Sequence, residues 1–193
     1  MPQALVWSII VALTLTALPV RAQNQYVGVK TCARCHDTGG ERSPVHRWRA
    51  SKHAGAYRAL AAHSESKPRK CQDLELWIVE IGRGVKYGLP RPAAESKECL
   101  PCHTTAFGAG SQLLAPSFDP KDGVQCESCH GPGSAHVEAR AANLVEPATA
   151  GFRRYEGERA IQARCQGCHE GTCGDFDFAA AWPRIAHPKS RKP

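Results

Sequence analysis

Residues 126–130 read Cys126-Glu127-Ser128-Cys129-His130, and this pattern of two cysteines followed directly by a histidine occurs four times in the chain. The other three copies are Cys32-Ala33-Arg34-Cys35-His36, Cys99-Leu100-Pro101-Cys102-His103 and Cys165-Gln166-Gly167-Cys168-His169. Two thiols at this spacing can form thioethers with both vinyl groups of one haem, and the next histidine can bind its iron. The sequence therefore predicts four haem c groups. They are attached through Cys32, Cys35, Cys99, Cys102, Cys126, Cys129, Cys165 and Cys168.

Paired cysteines also bind structural zinc, so zinc is the simplest alternative interpretation of the pattern. Zinc sites do not require a histidine directly after each pair, whereas all four pairs here have one. Four such motifs behind an export signal favour haem.

Each iron also needs a ligand on its opposite side if it is to be six-coordinate. The attachment histidines are His36, His103, His130 and His169, which leaves His46, His53, His63, His136 and His187 of the nine histidines. Ser43 and Pro44 predict the start of a helix that carries His46 and His53 near one face. His63 follows a helix over 57–62, where it could instead cap the final carbonyls. The residues alone leave the choice among the five open.

The first 22 residues are predicted to be an export signal. Leu5 to Leu18 is an apolar run of about 14 residues, shorter than the roughly 20 that span a bilayer, and Val20-Arg21-Ala22 suits cleavage after Ala22. Residues 23–193 then form one haem-bearing domain in the periplasm or outside the cell. An uncleaved run would tether it to a membrane, so peripheral membrane association is an open alternative.

The composition predicts a mainly α-helical domain with extensive irregular loops. Aromatic residues make up 7% of the chain, beside 14 prolines and 17 glycines, so few large side chains are available for a core. Further helices are expected at 135–144, 157–163 and 176–185. Residues 73–81 fit a helix or a strand. Cys71 and Cys173 lie outside the motifs and are expected to form a disulfide.

Several segments together resemble the tetrahaem cytochrome c-554 family of periplasmic multihaem cytochromes. They are Tyr26-Val27-Gly28, Trp48 with Ser51-Lys52-His53-Ala54, Glu98 to Thr105, Gly123 to His136, and Phe176 to His187. The resemblance implies a small fold organised around four closely stacked haems. It also implies three ligand pairs: His53 opposite His130, His136 opposite His36, and His187 on the fourth haem at His169. The second haem, at His103, would lack a strong distal ligand unless His46 or His63 supplies one.

Electron transfer between redox partner proteins is the expected function, because an iron with two imidazole ligands has no site left for a substrate. Two alternatives stay open. One is a reductase or oxidase of a small nitrogen or sulfur compound at a five-coordinate second haem. The other is a subunit of an oligomer or conductive filament. The formal charge of +7 does not indicate nucleic-acid binding, since export separates the protein from nucleic acid.

The haem count can be tested by intact-mass spectrometry of the purified protein. We expect a mass equal to residues 23–193 plus four haems, and one haem fewer when Cys126 and Cys129 are both replaced by serine. A colourless protein, or a mass matching bare polypeptide or bound zinc, would contradict the haem interpretation.

Overall fold

The computed structural model describes residues 23–38, 40–62, 80–81, 84–85, 93–143, 151–153, 155–170 and 176–187. The predicted signal, His63, Cys71 and Cys173 lie outside the described residues. The helices in these ranges are α1 Val29–His36, α2 Pro44–Ala50, α3 Ala56–Ala62, α4 Leu100–His103, α5 Cys126–His130, α6 Ser134–Ala141, α7 Glu158–His169 and α8 Phe178–Ile185. Short 3-10 turns and irregular segments join them, so the fold is mainly helical with much loop, as predicted. Within these ranges every helix is too short or too polar to cross a bilayer.

Each attachment motif ends a short helix. Helices α1, α4, α5 and α7 all finish at the histidine of their motif. Residues three apart lie on one face of a helix, so one turn presents both thiols to the same side. The motif therefore needs only a few helical residues, which explains why α4 has four and α5 has five.

Helix α2 begins as predicted but ends before His53. The Ser43 hydroxyl accepts a hydrogen bond from the His46 N–H, and Pro44 occupies the first turn. Ser51 is extended, and His53 lies in a separate 3-10 turn, Lys52–Gly55. The prediction of one helix carrying both His46 and His53 was therefore wrong, because the break at Ser51 turns His53 away from the α2 axis.

Other predicted elements differ in their bounds. Helix α6 starts one residue earlier than expected and ends at Ala141, whereas α7 continues beyond residue 163 through the fourth motif. The helical interpretation of 73–81 was wrong for its last two residues, because Glu80–Ile81 (β1) pairs antiparallel with Gly84–Val85 (β2). The remainder of that segment lies outside the described residues.

The amino-terminal segment threads between two loops. Tyr26 forms a parallel bridge to Leu114, and the Asn24 side chain accepts from the Ala135 N–H and donates to the Pro132 carbonyl. The buried apolar side chains in the described ranges are few, and most of them are small. They are Val27, Val29, Val45, Leu60, Ala93, Ala139 and Phe178. The described polypeptide therefore contributes little apolar core of its own.

The loop before the third motif holds His53 through the backbone. The His53 carbonyl accepts from the Val124 N–H at 3.0 Å, and the Trp48 indole N–H donates to the Val124 carbonyl at 2.7 Å. Gly123 has φ +78°, and a Cβ there would lie 2.6 Å from the His53 carbonyl oxygen. Only glycine permits this close approach.

Gly123→Ala should therefore destabilise the protein more than the same change at Gly108. Gly108 has φ +80° with nothing within 4 Å of a built Cβ, so Gly108→Ala carries only the conformational cost of about 1 kcal/mol. Chemical unfolding of both variants measures the difference. Equal losses would show that the contact with His53 is unimportant.

Candidate functional site

Three attachment histidines each lie beside a histidine from a distant part of the chain. The ring centres of His36 and His136 are 6.1 Å apart, those of His53 and His169 are 6.1 Å apart, and those of His130 and His187 are 5.9 Å apart. The bond between zinc and an imidazole nitrogen is about 2.0–2.1 Å long. If two imidazoles bound one metal at that length on opposite sides, their ring centres would be roughly 6 Å apart, whereas a tetrahedral angle would give roughly 5 Å. The three separations match the linear arrangement.

Two of these pairs differ from those implied by the resemblance. His136 lies next to His36, as implied, but His53 lies next to His169 and not His130. His187, expected at His169, lies next to His130 instead. The exchange follows from the fold. His53 is held by the loop before α5, while α8 packs on α2 and carries His187 to the third motif.

His103 is placed differently from the other attachment histidines. Its Nδ1 lies 2.9 Å from the Ala56 carbonyl oxygen, so Nδ1 carries the proton and Nε2 is left to bind a metal. Among the residues that the structure describes, neither His46 nor any other imidazole faces His103 at the distance seen in the three pairs.

The cysteines of different motifs approach one another in three combinations. The neighbouring Cys126 thiol raises the pKa of Cys32 above its usual range, and burial adds a smaller rise. Burial, and then the nearby Cys168 thiol, raises the pKa of Cys102 to about 11. Burial raises the pKa of Cys129, and the nearby Cys165 and Cys168 thiols of the fourth motif add to the rise. The first motif is therefore adjacent to the third, the third to the fourth, and the fourth to the second.

A buried carboxylate and a buried amide connect the third motif to the helix of the first. Glu127 and Gln125 are each 2% exposed and flank Cys126. The Glu127 carboxylate accepts from the N–H groups of Val27, Gly28 and Gly133, all at 2.8 Å. The Gln125 side-chain oxygen accepts from the Val29 N–H at 2.7 Å. These contacts satisfy N–H groups at the start of α1 that no turn of the helix can reach.

Thr105, two residues after His103, joins the second motif to this network. Its hydroxyl oxygen lies 2.7 Å from the Gln125 nitrogen, whose N–H donates to it, and 2.7 Å from the Ser128 hydroxyl. It is 1% exposed. Three of the four motifs are therefore connected through buried polar side chains.

Burial favours the neutral form of four of the imidazoles. It lowers the pKa of His53 and His169, with His169 adding to the effect on His53. Burial also lowers the pKa of His36 and His130, and their histidine neighbours lower it further. Only a neutral imidazole has a free nitrogen lone pair for a metal, so the environment favours the ligating form. Burial raises the pKa of Glu127, and its three N–H donors oppose that rise.

Comparison with known sequences identifies a family for this chain. The family described as cytochrome c554 and c-prime matches residues 31–131, which is more than half of the chain. The chain belongs to this family. The protein is accordingly a c-type cytochrome, which implies covalently bound haem c.

A relative of known name is similar over part of the same region. Cytochrome c-554 of Nitrosomonas europaea is 27% identical over 113 residues, which cover 58% of this chain and 40% of that protein. The chain therefore matches less than half the length of that relative. No solved structure matches the chain.

The residues present fit haem c of this cytochrome family. Thiols stand beside imidazoles in each motif, and three imidazole pairs have the separation of axial ligands on one iron. Arg153 and Arg164 line a cavity of about 220 Å³ beside Cys102 and Cys168, and guanidinium groups are suitable partners for haem propionates.

Sequence reasoning missed the side chains that support the ligands. Phe152 packs against both His136 and His130, with ring centres 4.5 and 5.7 Å away, and Phe176 lies parallel to His169 at 4.4 Å. Glu127 and Gln125 were not singled out either. Residues between the cysteines of a motif carry no periodic signal, so nothing in the sequence separates a buried carboxylate there from an exposed one.

The Thr105 contact can be tested with its neighbour as a control. Thr105→Val should cost about 1–3 kcal/mol, because the buried Gln125 N–H loses its acceptor. Thr104→Val should cost less, since the Thr104 hydroxyl donates to the Leu100 carbonyl, which still accepts from the Thr104 backbone N–H. Denaturant unfolding of the two holoproteins gives the difference, and a smaller loss for Thr105→Val would contradict the network.

Proposed function

We propose that this cytochrome relays electrons between redox partner proteins through four haems, one at each motif. The observation that carries the proposal is the set of three imidazole pairs, each joining an attachment histidine to a histidine from another element at about 6 Å. Chance packing of neutral side chains gives no reason for three such pairs with one separation. A bound haem supplies a one-electron couple at its iron.

In this proposal the residues of the chain hold the haems in position, bury them and place charges near them. Under this proposal three of the haem irons would be held by pairs of histidines, namely His36 with His136, His53 with His169, and His130 with His187. The eight motif cysteines fix the porphyrins covalently, and His103 supplies one ligand to the fourth iron. Two imidazoles on each of three irons leave no coordination site for a substrate, which favours electron transfer over substrate chemistry there.

The proposed order of the haems follows from the contacts between motifs. The first and third motifs approach through Cys32 and Cys126, and the second and fourth through Cys102 and Cys168. The third and fourth motifs approach through Cys129 and Cys165. Phe152 contacts His136 of the first-motif pair and His130 of the third-motif pair, so one aromatic ring packs against both sites. Electrons would pass readily between neighbouring motifs in the series first, third, fourth and second, because the haem edges would be close.

The proposed location is the periplasm or the exterior of the cell. The apolar run Leu5 to Leu18 followed by Val20-Arg21-Ala22 supports export and cleavage. Haem attachment to thiols also suits an exported protein. The donor and acceptor are proposed to be other redox proteins.

A second candidate function is suggested by His103. Its ring is fixed by the Ala56 carbonyl, and it faces no second imidazole from the described part of the chain. An iron held there with a free sixth position could bind a small ligand, which would permit reduction or oxidation of a nitrogen or sulfur compound. The ferric spectrum separates the two functions: a high-spin signal that shifts with cyanide favours the open site, and wholly low-spin spectra favour a carrier.

The ligand pairs can be tested by replacing each distal histidine. We expect His136→Ala, His53→Ala and His187→Ala each to convert one haem from low spin to high spin, because one axial ligand is removed. His46→Ala is the matched control and should leave the ratio of spin states unchanged. Paramagnetic resonance and visible spectra of the ferric proteins report the change, and an unaltered spectrum would refute that histidine as a ligand.

A further inference from the structure

We infer that Glu127 is a positioning residue that holds the first and third attachment helices together, and that its charge lowers the reduction potentials of the two haems bound there. This inference rests on the proposed function, since it requires haem at both motifs. It assigns a role to a side chain that neither attaches haem nor binds iron.

The contacts of Glu127 define the positioning role. Its Oε1 accepts from the N–H groups of Val27 and Gly133, and its Oε2 accepts from the Gly28 N–H. Val27 and Gly28 lead directly into α1, which carries the first motif, while Gly133 directly precedes α6, which carries His136. One side chain of the third motif thus fixes both elements that supply His36 and His136.

The position of the carboxylate between two motifs defines the electrostatic role. Its charge acts on both Cys32 and Cys126, so it lies close to the attachment points of the first and third haems. No cationic side chain in the described ranges forms an ion pair with Glu127. The hydrogen-bond donors that the described residues offer this carboxylate are backbone N–H groups, in an interior where charges interact more strongly than in water. A nearby negative charge stabilises the more positive ferric state over the ferrous state.

Gln125 provides a neutral comparison within the same network. Its side chain is equally buried and also accepts from an N–H at the start of α1. Gln125→Ala therefore loosens the same helix without changing any charge. Glu158, exposed in the first turn of α7, provides the opposite control, because Glu158→Gln removes a charge without disturbing α1.

The experiment is spectroelectrochemical titration of purified holoprotein for wild type, Glu127→Gln, Gln125→Ala and Glu158→Gln, with haem number checked by intact mass. For Glu127→Gln we expect two of the four one-electron steps to shift upward by about tenfold in the reduction equilibrium, which is about 59 mV for one electron. Gln125→Ala should lower the unfolding midpoint without this shift. Glu158→Gln should change neither quantity.

Two results would overturn the inference. The first is a fully loaded Glu127→Gln protein whose potentials equal those of wild type. The second is an equal upward shift in Gln125→Ala, which would assign the effect to loosened packing and not to charge. Absence of haem from wild type would instead refute the proposed function itself, so the two failures are distinguishable.

Glu127→Asp covers the case in which Glu127→Gln does not yield holoprotein. Aspartate keeps the charge but is one methylene shorter, so it cannot reach all three N–H groups. We expect lower stability with potentials close to those of wild type. A tenfold upward shift in Glu127→Asp would show that the charge is not the cause.

Discussion

The N–H groups at the start of α1 must find acceptors, and Glu127 and Gln125 supply them from the third motif. A helix leaves its first N–H groups without partners, and burying one of them unpaired would cost about 1–3 kcal/mol. Because the acceptors flank Cys126, satisfying α1 also sets the first motif against the third. The positions of His36 and His136 depend on this contact, since Glu127 also binds the Gly133 N–H before α6.

In the described part of the chain, buried polar residues are nearly as numerous as buried apolar ones, six against seven. Gln125, Glu127 and Thr105 are among its largest fully buried side chains, together with Val45. Backbone donors and hydroxyl groups form hydrogen bonds with these side chains. The side chains therefore stabilise the fold through directional hydrogen bonds and not through hydrophobic burial. The proposed haems would supply the apolar surface that the side chains lack. A chain with few aromatic residues and short helices can then hold one arrangement, because covalent attachment fixes each cofactor at its motif.

His53 and His187 lie beside each other's expected partners at the third and fourth motifs, and a break in a helix explains the difference for His53. His53 was expected to continue α2, but Ser51 interrupts the helix and the His53 carbonyl binds the Val124 N–H. The loop before α5 therefore holds the backbone of His53, while its ring points to His169. His187 reaches His130 because α8 packs on α2. The family resemblance implied His130 as the partner of His53, whereas the fold places His169 beside His53 and His130 beside His187.

The sequence by itself determined the four motifs, the haem type and the cap at Ser43 that starts α2, and it predicts attachment at the cysteines and histidines of the motifs. These are properties of short spacings, since two thiols and an imidazole on one helical turn act locally. Only the tertiary structure decided which imidazoles face each other, which motifs are neighbours, and that Glu127 is buried beneath α1. Those features join residues about one hundred positions apart. Such contacts depend on how the loops fold back, and no short pattern encodes that.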